Sequence, residues 1–283
     1  NTDTTFPNSG FNIFEFGGGT GISESPVVTY SPLQGKKFIQ QFLAKMQLKS
    51  IFLLYKSGWG IDKILRLCFE KMGPLDNAPN ASGPTPKSAP IFMDFLKAAN
   101  LFRDLEKINA VNIYMEEING EAIMSFQVSP SEKSSLEAQE LNKLFKKPLN
   151  NTAFQFSFNK ADSSGANFDI ETRSLLGIMY YLSHGVEVAK EDIKKGYVTN
   201  TLDGEGKPFL WEFVTGDLLK IYVQEENPRE TSVKIFHDGR WYYIRNSDLN
   251  SKSTFAFLTQ IFFLQAGNFN RTDPLITIPI GNN

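Results

Sequence analysis

The sequence predicts an α+β protein, with a helical layer at the start followed by antiparallel β-hairpins packed with helices. Three observations carry this. Apolar residues recur at helical spacing from Gln34 to Leu105, two turn dipeptides (Asn119-Gly120 and Asp238-Gly239) each sit between β-favouring runs, and Phe154, Phe156 and Phe158 alternate as on a half-buried strand. The chain has 283 residues, of which 41% are hydrophobic, so it can bury a sizeable core. With 25 Phe, 9 Tyr and 3 Trp, aromatic packing is expected to fill that core.

Residues 1–33 contain NTDTTFPNSG and FGGGTG and no sustained period, and read as a flexible leader or tether. The run Gly17-Gly18-Gly19-Thr20-Gly21 lacks the Gly-Lys-Ser/Thr ending of a phosphate loop. Residues 34–109 form a helical region. Phe38, Ile39, Phe42, Leu43 and Met46 mark one helix running to Tyr55, and after Ser57-Gly58-Trp59-Gly60 a second carries Ile61, Ile64, Leu65, Cys68 and Met72. Lys63, Arg66 and Lys71 on that second helix invite comparison with a DNA-binding helix-turn-helix, but the chain is net acidic at −2 and no nucleic-acid partner is expected. Residues 73–90 hold five prolines and little that could be buried, so they read as an extended loop. Pro90 then opens a third helix with Phe92, Phe95, Leu96, Ala99, Phe102 and Leu105 on its stripe.

Residues 110–283 read as an α+β region forming one continuous core with the helical part. Ala110–Tyr114 and Ala122–Val128 form the first hairpin. A charged helix over 131–147 turns Leu136, Leu141, Leu144 and Phe145 inward, and a loop at 161–167 leads to a helix from Thr172 that stops at His184-Gly185. Asp203-Gly204-Glu205-Gly206 is a surface turn without calcium-loop spacing. A strand at 218–223 precedes the second hairpin, where Asp238-Gly239 sets the register: His237 faces Arg240, Phe236 faces Trp241, Ile235 faces Tyr242, Lys234 faces Tyr243 and Val233 faces Ile244. Both faces are apolar, so the hairpin is expected to be sandwiched within a covered sheet. The alternative leaves one aromatic face for a partner. Behind it, Phe255, Leu258, Ile261, Phe262, Phe263 and Leu264 predict a core helix with little solvent face, ending at Gly267, and 274–279 gives a last edge strand.

Chemistry is sparse. One Cys excludes an intramolecular disulfide and, with two His, supplies almost no soft metal ligands, so no metal or cofactor is expected. Cys68 lies in an apolar stripe, where a thiol is inert packing. The candidate binding residues are Lys234, Phe236, His237, Arg240, Trp241, Tyr243, Arg245 and Asp248 on and beside the second hairpin. Phe236, Trp241 and Tyr243 beside Lys234 could stack a ring, and His237, Arg245 and Asp248 could converge as an enzyme site. Binding without catalysis is the leading expectation. An enzyme or small-ligand module near 232–248 is the alternative.

Ser57-Gly58-Trp59 with IDKILRLC, DNAPNASGPTP at 76–86, TRSLLGIMYYLSHGVEV at 172–188, and GRWYYIRNSDLNSKSTF with LTQIFFLQAG together resemble an uncharacterised family of bacterial proteins predicted to be envelope lipoproteins, over about residues 33–283. The resemblance implies an envelope location, expected to face the periplasm, with a membrane tether through an N-terminal lipid; a protein partner is expected from it only together with the tether-like leader and the absence of catalytic groups. It implies no catalytic residue. The chain starts at Asn1 rather than Met and shows no lipid-attachment Cys, consistent with a removed leader or a chain cut for expression. The first thirty residues would then serve as the tether.

Overall fold

A computed structural model describes residues 36–158 and 167–267. The expectations for the leader, for residues 161–166 of the loop and for a strand at 274–279 lie outside the described residues.

The expected helix from Gln34 to Tyr55 is two helices, Lys36–Leu43 (α1) and Leu48–Lys56 (α2). The break has a partner. Between them Met46 donates its N–H to the Arg173 carbonyl at 3.0 Å, and the Met46 carbonyl accepts from Thr172 Oγ1 at 2.8 Å, so the backbone groups that would continue α1 are spent elsewhere. The next helix, Ile61–Cys68 (α3), also stops before the expected Met72, and Phe69–Met72 is a strand (β1). Here the cause is the Arg173 side chain. Fully buried, it donates Nη1 to the carbonyls of Arg66 and Phe69, Nη2 to that of Asn77 and Nε to Ser82 Oγ, with its guanidinium 4.1 Å from the centre of the Tyr181 ring. Asn77 Nδ2 donates to the same two carbonyls, of Arg66 and Phe69. A helix end whose carbonyls are capped by side chains has nothing left for a further turn.

The first half of the Pro-rich stretch is therefore not a surface loop, while residues 82–89 are irregular and exposed or half-buried as expected. It holds Leu75–Asp76 (β2) and a 3₁₀ turn at Pro79–Ala81, and Leu75, Asn77, Ala78 and Ala81 are buried. Met93–Lys107 (α4) follows, then the first hairpin, Val111–Ile118 (β3) and Glu121–Val128 (β4), with positive φ at both Asn119 and Gly120. Leu136–Leu144 (α5) is shorter than expected, and Leu136, expected inward, is 77% exposed. Ala153–Ser157 (β5) buries Phe154 and Phe156 and leaves Phe158 outside. Asn167–Thr172 (β6), where no strand was expected, pairs with β5 in parallel and with β1 antiparallel. The described strands thus form a mixed six-stranded sheet, β2-β1-β6-β5-β4-β3, rather than hairpins alone. The region expected to hold only helices and a Pro-rich loop supplies two of its strands. Phe102 of α4 and Phe145 beyond α5 cap one face of this sheet, meeting Phe126, Phe154, Phe156 and Phe168 in edge-on and tilted contacts at 4.8 to 5.7 Å.

Leu175–Ser183 (α6) starts at a Ser174 cap and ends at His184. Two short helices, Lys190–Lys194 (α7) and Glu212–Thr215 (α8), lead to Tyr222–Gln224 (β7), Thr231–His237 (β8) and Arg240–Arg245 (β9), a three-stranded antiparallel sheet in the order β7-β9-β8. The last described helix is Leu249–Gly267 (α9), whose Phe257 and Ile261 are buried while Phe255 and Phe263 face solvent. It is not the all-round core helix the sequence suggests. Trp59 holds it, with its ring edge-on to Phe257 at 4.8 Å and its Nε1 donating to Gln260 Oε1.

Replacing Arg173 with Met should strand the Asn77 carbonyl and remove the cap from α3, lowering stability by roughly 3 kcal/mol or more. Arg173→Lys should recover little of that, since one ammonium cannot span four acceptors. Urea denaturation decides the matter, and a wild-type midpoint in either variant would contradict this account of the core.

Candidate functional site

The register of the second hairpin is as the sequence predicts: His237 pairs with Arg240, Phe236 with Trp241, Ile235 with Tyr242, Lys234 with Tyr243 and Val233 with Ile244. Asp238 and Gly239 supply the two positive φ angles of the turn. Burial differs from the expected sandwich. The base of the hairpin sits in or against the core at Ile244 and Tyr243, while the outer half stands clear, with Ile235 60% and Phe236 59% exposed. The third strand lies beside β9, so β8 is an outer edge and nothing among the described residues covers its tip.

One face of the sheet carries Lys234, Phe236, Trp241 and Tyr243, and β7 adds Tyr222 and Gln224. Most of this face is spent on itself. The Tyr243 hydroxyl donates to Gln224 Oε1 at 2.8 Å and its ring stacks on Tyr222 at 5.6 Å; the Arg245 guanidinium lies 3.8 Å from the Tyr222 ring centre. Lys234 lies over Trp241 at 5.2 Å and donates to Asn227 Oδ1 and the Pro228 carbonyl. Phe236 is the open member. On the opposite face Arg240 is tied to Asp192 of α7 at 2.7 Å.

The proposed convergence of His237, Arg245 and Asp248 does not occur. Thr231 pairs with Arg245 at the base of β8, whereas His237 lies six residues further on at the turn, about 20 Å along the strand at 3.3 Å per residue. Asp248 is a helix cap, accepting from the Ser251 N–H at 3.0 Å and the Ser251 hydroxyl at 2.6 Å. Cys68 is buried, and burial pushes its thiol up to about 12. Asp203 closes its turn by accepting from the N–H groups of Glu205 and Lys207. Among the described residues no group of three His, Cys, Asp or Glu side chains is placed to hold a metal ion.

A second locus was not foreseen. His184, read only as a helix stop, stacks flat on Trp211 at 3.7 Å and an interplanar angle of 7°. The pair lines two clefts of 330 and 320 Å³. Trp211 is fixed by its Nε1, which donates to Thr201 Oγ1 at 3.1 Å, and the Thr201 hydroxyl in turn donates to the Pro86 carbonyl at 2.6 Å. His184 Nε2 is sealed from water with no hydrogen-bond partner. Burial lowers the imidazole from 6.5 to about 4, against the smaller opposing effect of a hydrogen bond with the Ala81 backbone. Only the aromatic density of Phe209-Leu210-Trp211-Glu212-Phe213 hinted at this locus, and nothing in the sequence paired it with His184.

The fold and these two loci define an α+β protein with a projecting hairpin and an apolar cleft, without a described catalytic constellation. No family model matches the chain, and no curated protein or solved structure shows significant similarity to it.

Because the unfolded His184 ring takes a proton near 6.5 and the folded one only near 4, the unfolded state binds more protons between those values. Its contribution to stability is therefore complete above 6.5 and declines as the pH falls toward 4. Urea midpoints measured from pH 7 to 4.5 should fall for the native chain, and less steeply for His184→Gln. Equal slopes would show that the stacked ring titrates normally.

Proposed function

We propose that this protein acts by binding rather than by catalysis, as an envelope-associated interaction protein whose contact element is the outer strand β8. The observation that carries the reading is an exposed edge strand with large apolar side chains on both faces, Ile235 on one and Phe236 on the other. In a two-residue hairpin the pair flanking the turn exchanges both backbone hydrogen bonds, and this pattern repeats at every second residue. His237 and Ile235 therefore bond to β9, while Lys234 and Phe236 direct their N–H and C=O groups outward. An open edge of this kind accepts an extended segment of a protein partner as a further strand, with apolar side chains alternating against Ile235 and Phe236. Arg240, tied to Asp192, and Tyr243, tied to Gln224, hold the strand behind it in place, which lowers the ordering cost of docking. The envelope location rests on the resemblance to predicted lipoproteins, and residues 1–33 would link the rest of the chain to a lipid anchor.

The test is cross-linking and pull-down from the native cells, run on fractionated lysate with the native chain and with an Ile235→Ser, Phe236→Ser double variant. Both positions are exposed, so the variant should keep its unfolding midpoint. The expected result is a partner captured from the membrane or periplasmic fraction by the native chain and lost at least tenfold in the variant. A partner retained by the variant would exclude β8 as the contact, and recovery in the cytoplasmic fraction alone would exclude the envelope assignment.

A further inference from the structure

The cleft of 320 Å³ beside His184 and Trp211 has no place in the hairpin reading. Its walls come from the end of α6, from α7 and from the segment 198–209, and include Val186, Val188, Ile193, Phe209 and the Trp211 indole. No Asp, Glu, Lys or Arg lines it. Of the polar groups in the wall, the Trp211 N–H, the Thr201 hydroxyl and the Ser183 hydroxyl donate to Thr201 Oγ1, the Pro86 carbonyl and the Tyr180 carbonyl, and Thr85, Thr199 and Asn200 complete the lining with neutral side chains. Nothing in the wall rewards protonation of His184, whose Nε2 is closed off and unpartnered. A charged ligand would give up its hydration here and meet no opposite charge, only neutral hydroxyl and amide groups. Apolar surface, by contrast, is left open, since Val188 and Ile193 are each more than two-fifths exposed at the rim.

The cavity is also preformed. The segment forming one wall is laced to the body by Leu202 N–H to the Lys87 carbonyl, Ala89 N–H to the Leu202 carbonyl and Phe209 N–H to the Thr201 carbonyl, each at 2.8 Å. Its volume falls within the range of about 300–1,000 Å³ usual for small-molecule sites, which are mostly apolar and largely built before the ligand arrives.

We propose that this cleft binds an uncharged, planar, largely apolar small molecule, which packs against the Trp211 indole and covers Val188 and Ile193. The site is independent of strand β8.

The probe is N-phenyl-1-naphthylamine, a neutral bicyclic dye, titrated by fluorescence against the full chain, with anilinonaphthalene sulfonate as its charged counterpart. Saturable one-to-one binding of the neutral dye is expected, with the sulfonate at least tenfold weaker. Ile193→Glu should weaken the neutral dye at least tenfold with the unfolding midpoint unchanged. Val188→Asp, at the same rim, serves if the first variant does not fold. The Ile235→Ser, Phe236→Ser variant should bind the dye as the native chain does. Absence of saturable binding, equal affinity for the sulfonate, indifference to both rim carboxylates, or loss of binding in the hairpin variant would each overturn the proposal.

Discussion

The fold is organised by a buried positive charge that hydrogen-bonds to no negative one. Arg173 is fully buried and its donors all go to neutral oxygens, three of them main-chain carbonyls. Burial lowers its affinity for a proton, with Tyr181 and Glu70 acting the other way. Removing a cation from water costs several kcal/mol even after relaxation. What offsets it is the carbonyl end of α3, where the helix dipole concentrates partial negative charge, together with the face of Tyr181. The arrangement holds only if all its parts are present together. Residues 66–69, 77 and 82 must converge on Arg173, and that convergence turns a Pro-rich stretch into buried structure and ends α3 where β1 begins.

A second arginine extends the same hub outward. Arg66, one of the residues that suggested a DNA-binding surface, is nearly inaccessible and forms a two-pronged pair with Asp217 at 2.6 Å, while its Nη2 also donates to the Val214 carbonyl. Burial alone would raise the Asp217 carboxyl, but the Arg66 pair overrides it and holds the group below its ordinary value. Tyr181 donates to the same Val214 carbonyl at 3.3 Å. One ring thus touches both guanidinium systems, and through them the first helices are joined to the segment that leads into the small sheet.

This explains which features could be read from the sequence. The second hairpin was legible to the residue because Asp238-Gly239 fixes its register locally, through backbone angles those residues tolerate, and Asn119-Gly120 placed the first turn, although β3 runs on to Ile118 past the expected Tyr114. Elements set by distant partners were not. Strand β6, in NFDIET, has too few apolar residues to announce itself and becomes a strand because β1 and β5 flank it. The break between α1 and α2 falls in an unbroken apolar stripe, and its cause lies about 130 residues away at Thr172 and Arg173. At the candidate loci the same division holds. Which residues face one another across β8 and β9 follows from the turn, whereas their exposure depends on whether another layer lies over them. That is a property of the whole fold.

The small sheet is not loosely hung on the body. Val186 bridges Ile221 in parallel, with Ile221 N–H donating to the Gly185 carbonyl at 2.9 Å and Glu187 N–H to the Ile221 carbonyl at 2.8 Å. A Cβ at residue 185 would sit 2.1 Å from the Leu219 carbonyl oxygen, so the approach of the two chains requires glycine there. Gly185 follows His184 directly, and its neighbour Val186 lines both clefts beside Trp211. One three-residue segment therefore joins the end of α6, the floor of the apolar cleft and the first strand of the sheet whose far edge is β8. If the cleft filled, the strands next to it are β7, reached through Val186 and Ile221, and β9, reached through the Asp192–Arg240 ion pair of α7, with β8 beyond β9. Occupancy of the cleft could reach β8 only by moving β9, which Ile244 anchors in the core. Such a shift would disturb close packing, so the two loci are expected to act without energetic coupling.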